Sequence, residues 1–191
     1  MRRMLRLRAV AVLLGALLVA ACSGASAPVE VPADQLPFSL SRSPTPSPGT
    51  GDQTLEITFV HGGRLQAVVR TADASVPAPE AAIRALLKGP TRSERAGGAT
   101  SSVPPATQLI GIVVTDQIAE VDLSGEFQTP AQPREVLLRV AQVVWTLVGI
   151  PGVTAVRFAI DGEVVPVVTD TGSSVARPVS APDYTAVAPS T

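Results

Sequence analysis

The chain has 191 residues with 15 basic and 16 acidic side chains, a formal net charge of −1. Without a basic surplus it has no face suited to neutralising phosphates, which argues against nucleic-acid binding. A single cysteine (Cys22) and a single histidine (His61) leave no disulfide, no cysteine-based metal site and no histidine cluster for zinc.

Four arginines (Arg2, Arg3, Arg6 and Arg8) precede an uncharged run from Ala9 to Ala21. A basic start, a short apolar stretch and small residues before a cut describe a secretory signal over residues 1–21. It is too short to span a bilayer comfortably. The ending Val19-Ala20-Ala21-Cys22 resembles the lipobox of bacterial lipoproteins, and a plain signal peptide with a chance cysteine is the blander alternative. The resemblance implies a diacylglyceryl group on the Cys22 thiol, cleavage before it, and a further acyl chain such as palmitate on the new N-terminus. Two or three chains anchor firmly where one binds only marginally. Losing residues 1–21 removes four arginines and no acid, moving the formal charge from −1 to −5. The acyl chains, not a polybasic patch, are therefore the expected contact with the membrane.

Residues 22–52 read as the lipidated cysteine and a tether, with Pro28, Pro32, Pro37, Pro44, Pro46 and Pro48 among Ser, Thr and Gly. Within it, Val31 to Phe38 is more apolar than a spacer requires, so it is either a spacer or a segment that docks on the domain.

Alternation begins at Leu55, Ile57 and Phe59, which predicts a half-buried strand. His61-Gly62-Gly63 turns the chain, and Leu65 to Thr71 returns it. Glu80 to Lys88 carries Ile83, Leu86 and Leu87 at helical spacing, with Pro79 in the first turn and Gly89 as the left-handed residue after the end. Thr91 to Glu94 has capping-box spacing. A Gly/Ser/Thr/Pro loop covers 97–107. Leu109 to Thr115 and Ile118 to Leu123 form a hairpin about Asp116-Gln117. Pro133 opens a second helix whose buried stripe is Val136, Leu137, Val140, Val143, Val144 and Leu147, with Arg134, Arg139 and Gln142 off it. Val153 to Ile160, the Asp161-Gly162 turn and Glu163 to Val168 complete the pattern, Pro166 marking a sheet edge. The order β-β-α-β-β-α-β-β predicts an α+β fold, a single mixed or antiparallel sheet with two helices mainly on one face. The Pro/Ser-rich remainder is expected along the domain surface.

Five blocks occur in order: Leu86-Leu87-Lys88-Gly89-Pro90-Thr91 with Glu94, Ser102-Val103-Pro104, Val121-Asp122-Leu123-Ser124, Ile150-Pro151-Gly152-Val153, and Ile160-Asp161-Gly162-Glu163. Together they resemble the GerMN domain, named for sporulation and spore-germination proteins and found in actinobacterial envelope lipoproteins. The resemblance runs from about Leu55 to Val168 and gives a GerMN-like domain over 53–170 with a C-terminal extension over 171–191. It implies a compact α+β module without established enzymatic activity. The block residues also have local readings: Gly89-Pro90 ends a helix, and Asp122 and Ser124 bond amides of the following turn.

Among chemistry-bearing residues, Asp170-Thr171-Gly172-Ser173 after an apolar strand resembles the catalytic loop of aspartic proteases. That chemistry needs two aspartates sharing a proton, and most of a barrel after the loop. Asp116, Glu120, Asp122 and Glu126 are carboxylates, but no calcium-loop pattern surrounds them. His61 is a turn histidine without a nucleophile partner, and Trp145 lies beside the helix stripe as peripheral core or a sugar platform. No cofactor is expected. The reading is a lipid-anchored, non-catalytic module at the extracytoplasmic face of the cell membrane that binds another envelope protein. Its surface is expected on the uncovered sheet face or the 97–107 loop. The alternatives are a ligand or cell-wall glycan binder and, remotely, an enzyme using Asp170.

Overall fold

The computed structural model describes residues 51–189. Cys22, the signal segment, the tether and the 31–38 segment lie outside the described residues. β1 (Asp52–His61) and β2 (Arg64–Asp73) form a long antiparallel hairpin through Gly62-Gly63, both at positive φ. α1 (Ala78–Leu87) and the one-turn α2 (Arg92–Ala96) follow, then the two-residue β3 (Ala99–Thr100). β4 (Leu109–Thr115) and β5 (Ile118–Leu123) make a second hairpin, and a 3-10 turn leads to α3 (Pro133–Val148). β6 (Ala155–Ile160) runs parallel to β5; β7 (Glu163–Val164), β8 (Val167–Val168) and β9 (Ser174–Val175) are short. A 3-10 segment, Ala181–Val187, ends the described chain.

The α+β class and the mixed pairing match the sequence. The strands divide between a three-stranded sheet, β2-β1-β3, and a four-stranded sheet, β4-β5-β6-β7, with β8-β9 as a separate ribbon. The division arises because β1 pairs on its second side only with β3, at Val60 and His61, among the described residues. At Thr58, side chains of α3 make the backbone hydrogen bonds that a neighbouring strand would make. α1 and α3 pack on each other, and each touches strands of both larger sheets. The last predicted strand is also broken: Val165 still donates to the Phe158 carbonyl, but Pro166 has no N–H to continue the ladder.

Two further departures concern burial. Arg139 and Gln142, expected off the stripe of α3, are buried with it. The tail, expected along the surface, inserts Val179, Tyr184 and Val187 into the core. Val179 bridges Val156 through paired backbone hydrogen bonds, and the Tyr184 hydroxyl donates to the Val168 carbonyl. Each large aliphatic or aromatic side chain so buried contributes about 1.5–3 kcal/mol.

The Leu-Leu-Lys-Gly-Pro-Thr block has a physical basis that the sequence did not reveal. Arg70 of β2 lies over the Phe59 ring, its centre 5.0 Å from the ring centroid. It donates to the Ala85 and Gly89 carbonyls at the end of α1 and to the Glu94 carboxylate. A cation there complements the negative end of α1. Glu94 also accepts from the Thr91 amide while Thr91 Oγ1 accepts from the Glu94 amide, so the expected capping box is complete.

Burial pushes the Glu94 carboxyl up, but hydrogen bonds from Arg70 and Thr91 outweigh it and hold its pKa below the usual value. A group with a depressed folded pKa stabilises above its unfolded pKa, and that stability is lost as pH falls through the folded value. Hydrogen exchange across residues 89–97 should therefore accelerate, after correction for intrinsic rates, below about pH 4. In Glu94→Gln that pH step should disappear; an identical step in the variant would assign it elsewhere.

Candidate functional site

α3 organises the polar interior. Arg139, Gln142 and Thr146 lie on it at helical spacing and are buried, Arg139 at 4% exposure and Gln142 at 0%. Thr146 Oγ1 accepts from the Thr58 amide at 3.0 Å, and Gln142 Nε2 donates to the Thr58 carbonyl at 3.2 Å. Gln142 Oε1 accepts from the Ser102 amide at 2.7 Å. Arg139 donates from Nε to the Ser102 carbonyl, and from Nη1 to the Phe127 and Thr129 carbonyls at 2.6 and 2.9 Å. Burial lowers the Arg139 pKa and the charge of Glu135 raises it, with a net lowering; a guanidinium stays charged nonetheless.

This arrangement anchors the 97–107 loop at several points while leaving Gly97, Gly98, Thr100, Pro105 and Ala106 exposed. Ala99 and Thr100 pair with β1, Ser102 is held at both amide and carbonyl by α3, and Val103 and Thr107 are buried. The loop is fastened down.

The predicted site residues are scattered. His61 Nε2 lies 2.9 Å from the Gly97 carbonyl, tying the end of β1 to the loop. Glu120 pairs with Arg157 across β5 and β6 at 3.4 Å. Asp122 Oδ1 accepts from the Gly162 amide, and Ser124 Oγ from the Gln108 amide. These two bond distant chain, not the following turn, because the β5–β6 pairing brings the Asp161-Gly162 hairpin beside Asp122. Two sequence blocks thus meet in space. Among the described residues, no group of three His, Cys, Asp or Glu side chains is placed to hold a metal. Trp145 is half-buried against the core, and its indole N–H and the Thr107 hydroxyl are buried without hydrogen-bond partners among the described residues.

Asp170 is engaged locally. Its Oδ2 accepts from Thr185 Oγ1 and the Ala186 amide, both at 3.1 Å, and its own amide donates to the Asp183 carbonyl. The carboxylate fastens the C-terminal 3-10 segment to the β8–β9 ribbon.

The exposed apolar side chains concentrate on the four-stranded sheet. β4 is its outer strand and, among the described residues, pairs only with β5. Ile110, Val113 and Val114 on β4 and Val164 on β7 are exposed, Val113 at 65%. Register places Val113 beside Glu120, and Glu120 beside Arg157, so these share the outer face. Val114 points to the opposite face, yet it too is exposed. Among the described residues, both faces and the edge of the β4 tip are therefore uncovered, around the turn Asp116-Gln117 at positive φ. Sequence alternation located the strand but gave no sign that its apolar side chains stand in solvent.

Residues 51–166 match the family described as Germane, sporulation and spore germination. Among solved structures, the tandem GerMN domains of the sporulation protein GerM from Bacillus subtilis are 21% identical with a TM-score of 0.54. That match covers 74% of this chain and 48% of the other, so the chain spans about half of the tandem structure. The first GerMN domain of the same protein is 18% identical with a TM-score of 0.49, over 68% of this chain and 98% of that one. A candidate lipoprotein from Clostridium perfringens is 18% identical with a TM-score of 0.48, covering 73% and 93%. No curated protein matches the chain in sequence.

Replacing Asp170 by alanine should cost about 1 kcal/mol, the worth of a typical internal hydrogen bond. Proteolysis should then cut first within 181–187; unchanged resistance there would mean the carboxylate holds nothing.

Proposed function

Because the chain belongs to the sporulation and spore germination family, we propose that it is a lipid-anchored, non-catalytic module that binds another envelope protein. Cys22 carries the acyl chains, the proline-rich tether over 22–52 sets the reach, and the domain is held at the extracytoplasmic face of the membrane. The partner docks on the four-stranded sheet at the β4 edge.

One observation carries this reading: Ile110, Val113 and Val114 are exposed on a strand whose outer edge has no partner among the described residues. Natural edge strands are usually short, charged, bulged or covered, because free N–H and C=O groups recruit further strands. β4 bears no charge along Leu109–Thr115. It does carry an irregularity between Leu109 and Gly111, which leaves the tip regular. An extended segment of another protein added there would gain main-chain hydrogen bonds and bury the valines. The carbohydrate reading has less support, since Trp145 packs against the core. The engagement of Asp170 with Thr185 and Ala186 likewise offers a protease reading nothing.

A photo-crosslinker placed at Val113 in living cells should give an adduct with one envelope protein, and the same group at exposed Arg84 should not. Adding Val114→Lys should abolish the adduct without altering the fold. Equal labelling from both positions, or none from Val113, would contradict the docking surface. Cys22→Ala should lose membrane fractionation, and retention would contradict the anchor.

A further inference from the structure

Arg139 is the one strongly buried cation that takes part in no ion pair among the described residues. The pairs present are Arg70–Glu94, Arg84–Glu80, Arg157–Glu120 and Arg177–Asp183. Glu135, one turn earlier on α3, is exposed and forms no ion pair with it. Removing one charge from water without a counter-charge is costly, and the cost is larger in an apolar setting. Three carbonyls offset part of it, but they engage only Nε and Nη1. Nη2 donates to no group among the described residues, and it is not among the buried atoms left without a partner.

Beside it is a cavity of about 280 Å³. Its walls are Phe127 and Pro130 from the turn before α3, Val136 and Val140 from α3, and Val165 and Pro166 from the broken strand after β7. Among the described residues, Arg139 is the only charged side chain in the lining. The Phe127 ring also lies under the guanidinium, 5.9 Å from centroid to Cζ. The break at Pro166, which stops β7 from continuing into β8, forms one side of the opening.

From this combination we propose that the cavity is a binding site for a small monocarboxylate with a short apolar body, its carboxylate on Arg139 Nη2. One free guanidinium nitrogen matches one carboxylate oxygen, and a bound carboxylate would supply the direct ion pair that Arg139 lacks among the described residues, where Glu135 acts only at a distance. The apolar walls take the hydrocarbon portion. A dianion fits less well, because a single cation leaves its second charge desolvated. The volume lies just below the usual ligand-pocket range of about 300–1,000 Å³, which suits a short chain. The site is separate from the β4 edge, so its occupancy and partner docking can fail independently.

The test uses the full chain, isotopically labelled, titrated with sodium hexanoate, with 1-hexanol and with sodium acetate at constant ionic strength. Hexanoate should shift the Arg139 side-chain N–H and the amides of Phe127, Val140 and Val165 with one saturable isotherm. Hexanol, lacking charge, and acetate, lacking the tail, should each bind at least about tenfold more weakly. Arg139→Lys should weaken hexanoate binding, and Val136→Trp, which fills the cavity and leaves the guanidinium in place, should abolish it. The unmutated comparison stands even if Arg139→Lys fails to fold. Equal affinity for hexanoate and hexanol, no saturable shift, or undiminished binding by folded Val136→Trp would overturn the proposal.

Discussion

The fold depends on how the open side of β1 is satisfied. A buried strand edge leaves N–H and C=O groups that must find partners or cost a kilocalorie or more each, about 1–3 kcal/mol. At Thr58 those partners are side chains of α3: Thr146 accepts from the amide and Gln142 donates to the carbonyl. The same glutamine then receives the Ser102 amide, so one side chain joins β1 to the loop. A helix thereby substitutes for a strand. The sheet stops there, and β4 to β7 form a separate sheet that α1 and α3 also touch.

Two arginines extend the same logic. Arg70 gathers the end of α1 and the start of α2 through carbonyls and a carboxylate. Arg139 gathers the 101–102 loop and the turn before α3 through carbonyls alone. The difference matters chemically. Arg70 is paired with Glu94, while Arg139 has no ion pair among the described residues and borders a largely apolar cavity. Buried polar side chains thus tie the interior together, and the exposed large apolar side chains lie on β4, on β7 (Val164) and, at Val69, on β2.

Much of this was legible in the residues. Asp161-Gly162 and Asp116-Gln117 announced hairpins, and all four adopt the positive φ that such turns need. Thr91 and Glu94 announced a capping box, and the apolar spacing after Pro133 announced α3. Arg139 and Gln142 were misplaced because hydrophobic periodicity assigns polar residues to solvent by default. Their own spacing with Thr146 is helical, and that was the available signal. The division of the sheet was hidden, since alternation finds strands but not their partners. The tail was hidden too: Val179, Tyr184 and Val187 are separated by Pro and Ser and follow no period. The binding reading rests on exposure at Val113 and Val114, which no sequence pattern encodes. The lipid anchor rests on Cys22 and its neighbours alone.

Native-state hydrogen exchange at the Thr58 and Ser102 amides tests the central claim most directly, because both donate to α3 side chains and not to a strand. If α3 stands in for a strand, these two amides should exchange only through global unfolding, as slowly as the best-protected amides of the β1–β2 hairpin. Exchange through local opening, with Ser102 at the rate of an ordinary surface loop, would contradict it.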